Sequence, residues 1–236
     1  MIVVIALAGL ILGTMLNLII ARQLRDPEAA ESAEAPKAAP SSSPLRWIPV
    51  VGSIAQRSWV GLAVEVLAAV MAVVLWQYYG WTPRFWLLSA ATLVLLDTAA
   101  IDWQVRLIDT LIMVIATVVC VALGQWISGN WILSLLGALA AGFVFVLFFV
   151  IAKLLYPSQQ APFGLGDVYL GMFIGAMLGI GHVGGALLYG MFLAGLASIG
   201  IIVVLGYQRA RHIPISYGTF LCLGVLVYLA IWPIPR

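Results

Sequence analysis

Eight apolar stretches, parted by short polar breaks, run through this chain and leave it few ways to fold. They extend from Ile2 to Ala21, Val60 to Tyr78, Phe85 to Ile101, Leu107 to Ile127, Trp131 to Leu155, Val168 to Ile180, Gly185 to Leu205 and Ile215 to Ile231. A membrane-spanning helix needs about 20 mostly apolar residues, and most of these stretches approach that length. Of the 236 residues, 64% are hydrophobic and only 8% are charged. No water-soluble globular domain is built this way. The expected class is all-α, a polytopic integral membrane protein of about eight transmembrane helices whose first partner is the lipid bilayer. No nucleic-acid partner is expected.

Charge sets the expected orientation. With eight spans and the N-terminus outside, the inner segments hold Arg22, Arg25, Lys37, Arg46, Arg57, Arg106, Lys153, Arg209 and Arg211. Only Arg84 and Arg236 remain outside, so nine of the 11 basic residues fall on one side, as the positive-inside rule requires. Trp81, Trp86, Tyr78 and Tyr79 gather near an outer turn, where an interfacial aromatic belt belongs. Gly129-Asn130 and Gly184-Gly185 are expected as tight turns. The sixth stretch is short and glycine-rich, which suggests a tilted, broken or tightly packed helix.

Three parts follow: a first transmembrane helix over 1–21, a cytosolic loop over 22–59, and a seven-helix membrane domain over 60–236. Residues 26–44 of the loop are rich in Ala, Pro, Ser and Glu. They bury too little apolar surface to offset their ordering entropy, so a flexible linker is expected. Trp47-Ile48-Pro49-Val50 reads as a short interfacial anchor. The first apolar run has its basic residues behind it rather than ahead, and so reads as a retained span and not a cleaved leader. Cys120 and Cys222 lie in apolar runs, form no CxxC, and read as buried hydrophobes. His182 and His212 are expected at opposite membrane faces, so a shared histidine metal site is not expected.

The acids carry the chemistry. Four of the nine, Asp26, Glu28, Glu31 and Glu34, lie in the linker; Glu65, Asp97, Asp102, Asp109 and Asp167 lie within or beside spans. A carboxylate beside lipid is a functional candidate by default. Asp102 ends the third stretch, Asp167 opens the sixth, and Asp109 lies about one turn into the fourth; all three are expected at one membrane level, and Glu65 one turn inside the second stretch. Asp167 closes Gly164-Leu165-Gly166-Asp167, a G-x-G-D whose glycines allow unusual backbone angles and close approach of a substrate. Two close carboxylates share a proton, so that one serves as general base on water while the other polarises a carbonyl. Each acid also has a structural reading. Asp167 suits a helix N-cap, Asp102 a solvated helix end, and Asp109 a first-turn acid favoured by the helix dipole. Asp97 is deeper and suits a bond to a neighbouring helix or a wet cavity, and Glu65 suits a packing polar or a support for the pair.

These residues resemble the type IV prepilin peptidases, aspartic proteases of the G-x-G-D class. Gly13-Thr14-Met15-Leu16-Asn17-Leu18-Ile19-Ile20-Ala21-Arg22 is similar to the family's first-span signature, G-S-F-L-N-V-V-I-x-R. Trp47-Ile48-Pro49-Val50 resembles its N-I-P-hydrophobic element, and Val64-Glu65-Val66-Leu67 its V-E-L-L. Ile101-Asp102-Trp103-Gln104-Val105-Arg106-Leu107-Ile108 resembles the stretch around the first catalytic aspartate. Phe163-Gly164-Leu165-Gly166-Asp167-Val168 resembles the G-x-G-D-V that carries the second. The resemblance implies catalysis by Asp102 and Asp167 and an active-site loop shaped by Gly164 and Gly166. Asn17, Glu65 and Asp109 are held as supporting residues. The implied substrates are the basic leaders of type IV prepilins or type II secretion pseudopilins, cut at the cytosolic face of the bacterial inner membrane.

The departures from the pattern shape the expectation. Many members carry two CxxC pairs in the first cytosolic loop, binding zinc; this loop has no cysteine, so no zinc is expected. Members often also methylate the new N-terminus with S-adenosylmethionine, and the reduced loop speaks for the peptidase and against that second activity. The usual I-P-D is Ile108-Asp109-Thr110, so no family role is carried over to Asp109. The main rival function is a proton-coupled transporter or assembly factor using Glu65, Asp97 and Asp102. The absence of an internal repeat and the gathering of acids at one face favour the protease.

Overall fold

A computed structural model describes residues 1–24, 58–155, 164–206, 208 and 216–234. The linker over 26–44, the Trp47 element and His212 lie outside the described residues. All described elements are helices: α1 (Ile2–Gln23), α2 (Trp59–Tyr79), α3 (Pro83–Val105), α4 (Thr110–Ala122), α5 (Gly124–Ile127), α6 (Trp131–Leu155), α7 (Leu165–Leu178), α8 (Ile180–Leu205) and α9 (Tyr217–Ile231). Five of them, α1, α2, α3, α6 and α8, are long and apolar enough to cross a membrane. The described chain is thus all-helical, with five candidate membrane-spanning helices. The fourth, sixth and eighth apolar stretches are helical as expected, at 13, 14 and 15 residues; the fourth and eighth are shorter than the stretches read, while the sixth is short as expected.

Local chemistry sets the helix ends. Ser58 caps α2 by accepting from Gly61 N at 3.1 Å. Thr82 caps α3, with Pro83 at the first helical position, where its missing N–H costs nothing. Arg106 ends α3 in the left-handed region at φ 56°, its N–H donating to the Asp102 carbonyl at 2.9 Å. The turn at Gly129, φ 80°, matches expectation. Gly184-Gly185 does not turn: both residues lie inside α8. The break falls instead at Gly179, where φ 73° joins α7 to α8, a conformation that glycine adopts without a Cβ penalty.

The chain divides into two compact units, Met1–Arg106 and Leu107–Arg236, a boundary that cuts through the expected 60–236 domain. In the first unit α1 packs along α2, with Gly9 against the Ala69 backbone and Gly13 against the Glu65 backbone. Such small residues let membrane helices approach closely. At the turn between α2 and α3, Trp81 stacks with Phe85 and Trp86 at 5.8 and 5.6 Å, and Arg84 lies over the Tyr79 ring at 5.5 Å.

The second unit is organised around α7, which packs against α4, α6, α8 and α9. From Val168 onward nearly every residue of α7 is buried, including Leu170, Phe173, Ile174 and Met177. Gly137 of α6 and Gly175 of α7 pack backbone to backbone, with no room for a side chain on either. The longer α8 faces outward along Leu188, Phe192, Ile199 and Val203, a stripe with the period of a helix surface in lipid. Cys120 and Cys222 are buried free thiols.

Candidate functional site

Asp102 lies on the last turn of α3 and is only 5% exposed. The same helix buries Asp97, Thr98 and Thr92, so α3 carries an unusual polar load for a helix so enclosed. A buried carboxyl is costly unless its surroundings supply polar partners or a proton. Trp103 and Gln104 on the same turn are exposed, and Gln104 folds back to donate to the Ala100 carbonyl at 3.0 Å. Asp102 therefore sits at the boundary between the packed part of its helix and the open end.

Asp167 belongs to the second unit, on the first turn of α7. Its Oδ2 accepts from Gly164 N at 3.0 Å, and its own N–H donates to the Gly164 carbonyl at 3.2 Å. Side chain and backbone thus close one small ring that holds the carboxylate over the helix start. The expected cap role is shifted by one turn: the N-cap is Gly164, and Asp167 reaches back to it from the third helical position. The dipole of α7 favours negative charge there. Packing of Gly137 on Gly175, Gly142 on Met172 and Phe145 on Gly171 fixes an antiparallel register of α6 on α7.

The two motif glycines differ. Gly164 has φ −95°, a backbone that any residue could adopt, and no described atom lies closer than 3.8 Å to a Cβ placed on it. At Gly166 an added Cβ would fall 2.8 Å from the Cβ of Ile108. The expected need for unusual backbone angles is therefore not what these glycines serve. Gly166 admits a close neighbour, and Gly164 gives its N–H to the Asp167 carboxylate.

The supporting residues separate into two places. Asn17 and Glu65 come together between α1 and α2, where Asn17 Nδ2 donates to Glu65 Oε1 at 3.0 Å and to the Gly61 carbonyl at 2.9 Å. Glu65 is 1% exposed and lies nearly two turns into its helix rather than one. Asp109 precedes α4 instead of lying within it, and caps that helix through Oδ1, which accepts from Leu111 N at 2.9 Å and Ile112 N at 3.2 Å. Its first-turn electrostatic role is thus realised as an N-cap.

Two residues near Asp167 escaped the sequence reading. Ile108 presses on Gly166. Tyr217 opens α9, which packs against α7, and its hydroxyl lies within electrostatic reach of the Asp167 carboxylate. At the other end of α8 and α9, His182 Nδ1 bonds the Tyr228 hydroxyl at 2.9 Å, and Trp232 Nε1 donates to the Tyr189 hydroxyl at 3.4 Å. That cluster ties the end of α9 to α8. Among the described residues, no group of three or more His, Cys, Asp or Glu side chains is arranged to hold a metal ion. Comparison of the chain with models of protein families, with curated proteins and with solved structures finds no match.

Proposed function

We propose that the protein is a membrane aspartyl endopeptidase of the type IV prepilin peptidase kind, with Asp102 and Asp167 as its catalytic pair. The observation that supports the reading is the setting of each acid within its own unit. Asp102 is buried on the last turn of α3, and Asp167 is held by its own turn at the start of the most enclosed helix of the second unit. The motif resemblance around both residues supports the same reading. It also supplies the substrate class: basic leaders of prepilins or pseudopilins, cut ahead of a hydrophobic helix. The charge bias supports a site on the cytosolic face, with eight spans and the N-terminus outside, and the resemblance implies the bacterial inner membrane.

In this mechanism one carboxylate of the pair is ionised and takes a proton from a water molecule, whose oxygen attacks the scissile carbonyl carbon. The other carboxyl is protonated and donates to the carbonyl oxygen as negative charge develops there. The tetrahedral intermediate collapses as the amide nitrogen gains a proton from the pair and leaves as an amine. The pair titrates as a unit, so activity should pass through a maximum and fall when both members are protonated or both ionised. Proteolysis of this kind needs no cofactor.

The test mixes the purified full chain with a leader-bearing prepilin and compares Asp102→Asn with Asp167→Asn. Each is expected to lower cleavage by about 1000-fold or more, as loss of a general acid–base partner together with its electrostatic role implies. Continued processing by either variant would sink the assignment. A proton-coupled transporter is favoured by one observation, the burial of Glu65 and Asp97 together with Asp102 in the first unit. Proton uptake into proteoliposomes, lost in Glu65→Gln but intact in Asp167→Asn, would select that alternative.

A further inference from the structure

The second glycine of G-x-G-D is spoken for by a neighbour, and the neighbour is itself fixed. A Cβ on Gly166 would lie 2.8 Å from Ile108 Cβ and 3.6 Å from both Cγ1 and Cδ1. The nearest atom is the branch point of a β-branched side chain, which moves only with its backbone. No rotamer change relieves such a contact. Ile108 directly precedes Asp109, whose carboxylate caps α4 through two backbone N–H groups, and α4 packs along α7. The Asp109 cap therefore anchors Ile108, and Ile108 bears on the residue immediately before Asp167. In the chain Ile108 also follows Asp102 by six positions.

We propose that Ile108 is a positioning residue for Asp167: the isoleucine, seated by the Asp109 cap, is the stop against which the first turn of α7 rests. It sets the height and rotation of the turn whose Gly164 N–H holds the carboxylate. The role rests on the peptidase reading for its effect on catalysis, while the contact and its effect on Asp167 do not. It gives one account of three features, the glycine at 166, the isoleucine at 108 and the acid at 109. It also makes the two motif glycines unequal. A Cβ on Gly164 meets no described atom closer than 3.8 Å, against 2.8 Å on Gly166. Gly166→Ala must push the turn or the Ile108 backbone by several tenths of an ångström, and a shift of that order at a reacting group costs tens-fold in rate.

The experiment is a steric swap in the full-length protein, read in two ways. Gly166→Ala is expected to lower kcat by about 10-fold or more with KM little changed. Adding Ile108→Gly, which removes the opposing Cβ, restores most of the loss, whereas Ile108→Ala, which keeps that Cβ, does not. The second readout needs no substrate. Carbon NMR of aspartate-labelled protein, assigned with Asp167→Asn, follows the titration of the Asp167 carboxyl, which should move in Gly166→Ala and return in the double variant with Ile108→Gly. If the wild-type chain cleaves no prepilin, the peptidase reading fails, and the titration still decides the role of Ile108. An Asp167 titration unaltered by Gly166→Ala, or altered and not restored by Ile108→Gly in a folded protein, overturns the proposal.

Discussion

At the level of single residues, polar side chains in this protein are concentrated where helices meet. Asn17 is the clearest case, since it spends both amide hydrogens across the α1–α2 interface on Glu65 and the Gly61 carbonyl. Glu65 is 1% exposed, so the donor matters more than it would at a surface. Interhelical hydrogen bonds in membrane proteins contribute about 0.6 kcal/mol on average and up to roughly 1.7. Asn17→Ala should therefore destabilise by about 1 kcal/mol, measured as a lower thermal midpoint in detergent, and Asn17→Gln should recover part of it. A midpoint unchanged in Asn17→Ala would show that the pair is idle. The sequence offered Asn17 and Glu65 only as separate motif positions; nothing in it pairs residues 48 apart. Ile108 was hidden for the same reason. Its partner lies on another helix, and its effect is steric, which leaves no charge or spacing signal to find.

Among the helices, the long apolar runs were legible because twenty apolar residues in a row have one common destiny. Their ends were less so. Glycine breaks a helix in water but packs one in a membrane, so Gly184-Gly185 read as a turn and proved helical, while the turn fell at Gly179. The same ambiguity hid the most demanding contact, that of Gly137 on Gly175. Gly137→Ala should force α6 from α7 and cost about 1–3 kcal/mol, as overpacking does. Gly195→Ala on α8, where an added Cβ meets nothing within 4 Å, should be close to neutral or slightly stabilising. Thermal unfolding of the two variants side by side checks the contrast, and equal midpoints would refute it. The paired substitution also separates tight packing from helix propensity, which both variants improve.

On the scale of the whole molecule, the second unit sorts its helices by length. The enclosed α7 has 14 residues and the outward-facing α8 has 26, about 21 and 39 Å at 1.5 Å per residue. The hydrocarbon core of a bilayer is about 30 Å thick, so α7 is too short to match it and α8 is long enough to overshoot. A helix wrapped by other helices need not match lipid at all. A lipid-facing one adjusts to bilayer thickness by tilting. The body of α7 from Val168 onward is thereby enclosed by other helices and keeps its place against α6, while its first turn, with Leu165 57% exposed, lies open. Under the proposed peptidase function, reconstitution in phosphatidylcholines of increasing chain length should leave cleavage within about 3-fold, since mismatch costs only fractions of a kcal/mol per ångström. A steep optimum at one thickness would show that the acid feels the bilayer directly. A helix enclosed in this way takes its length from its neighbours, and leaves to the outward-facing helices any fit to the thickness around them.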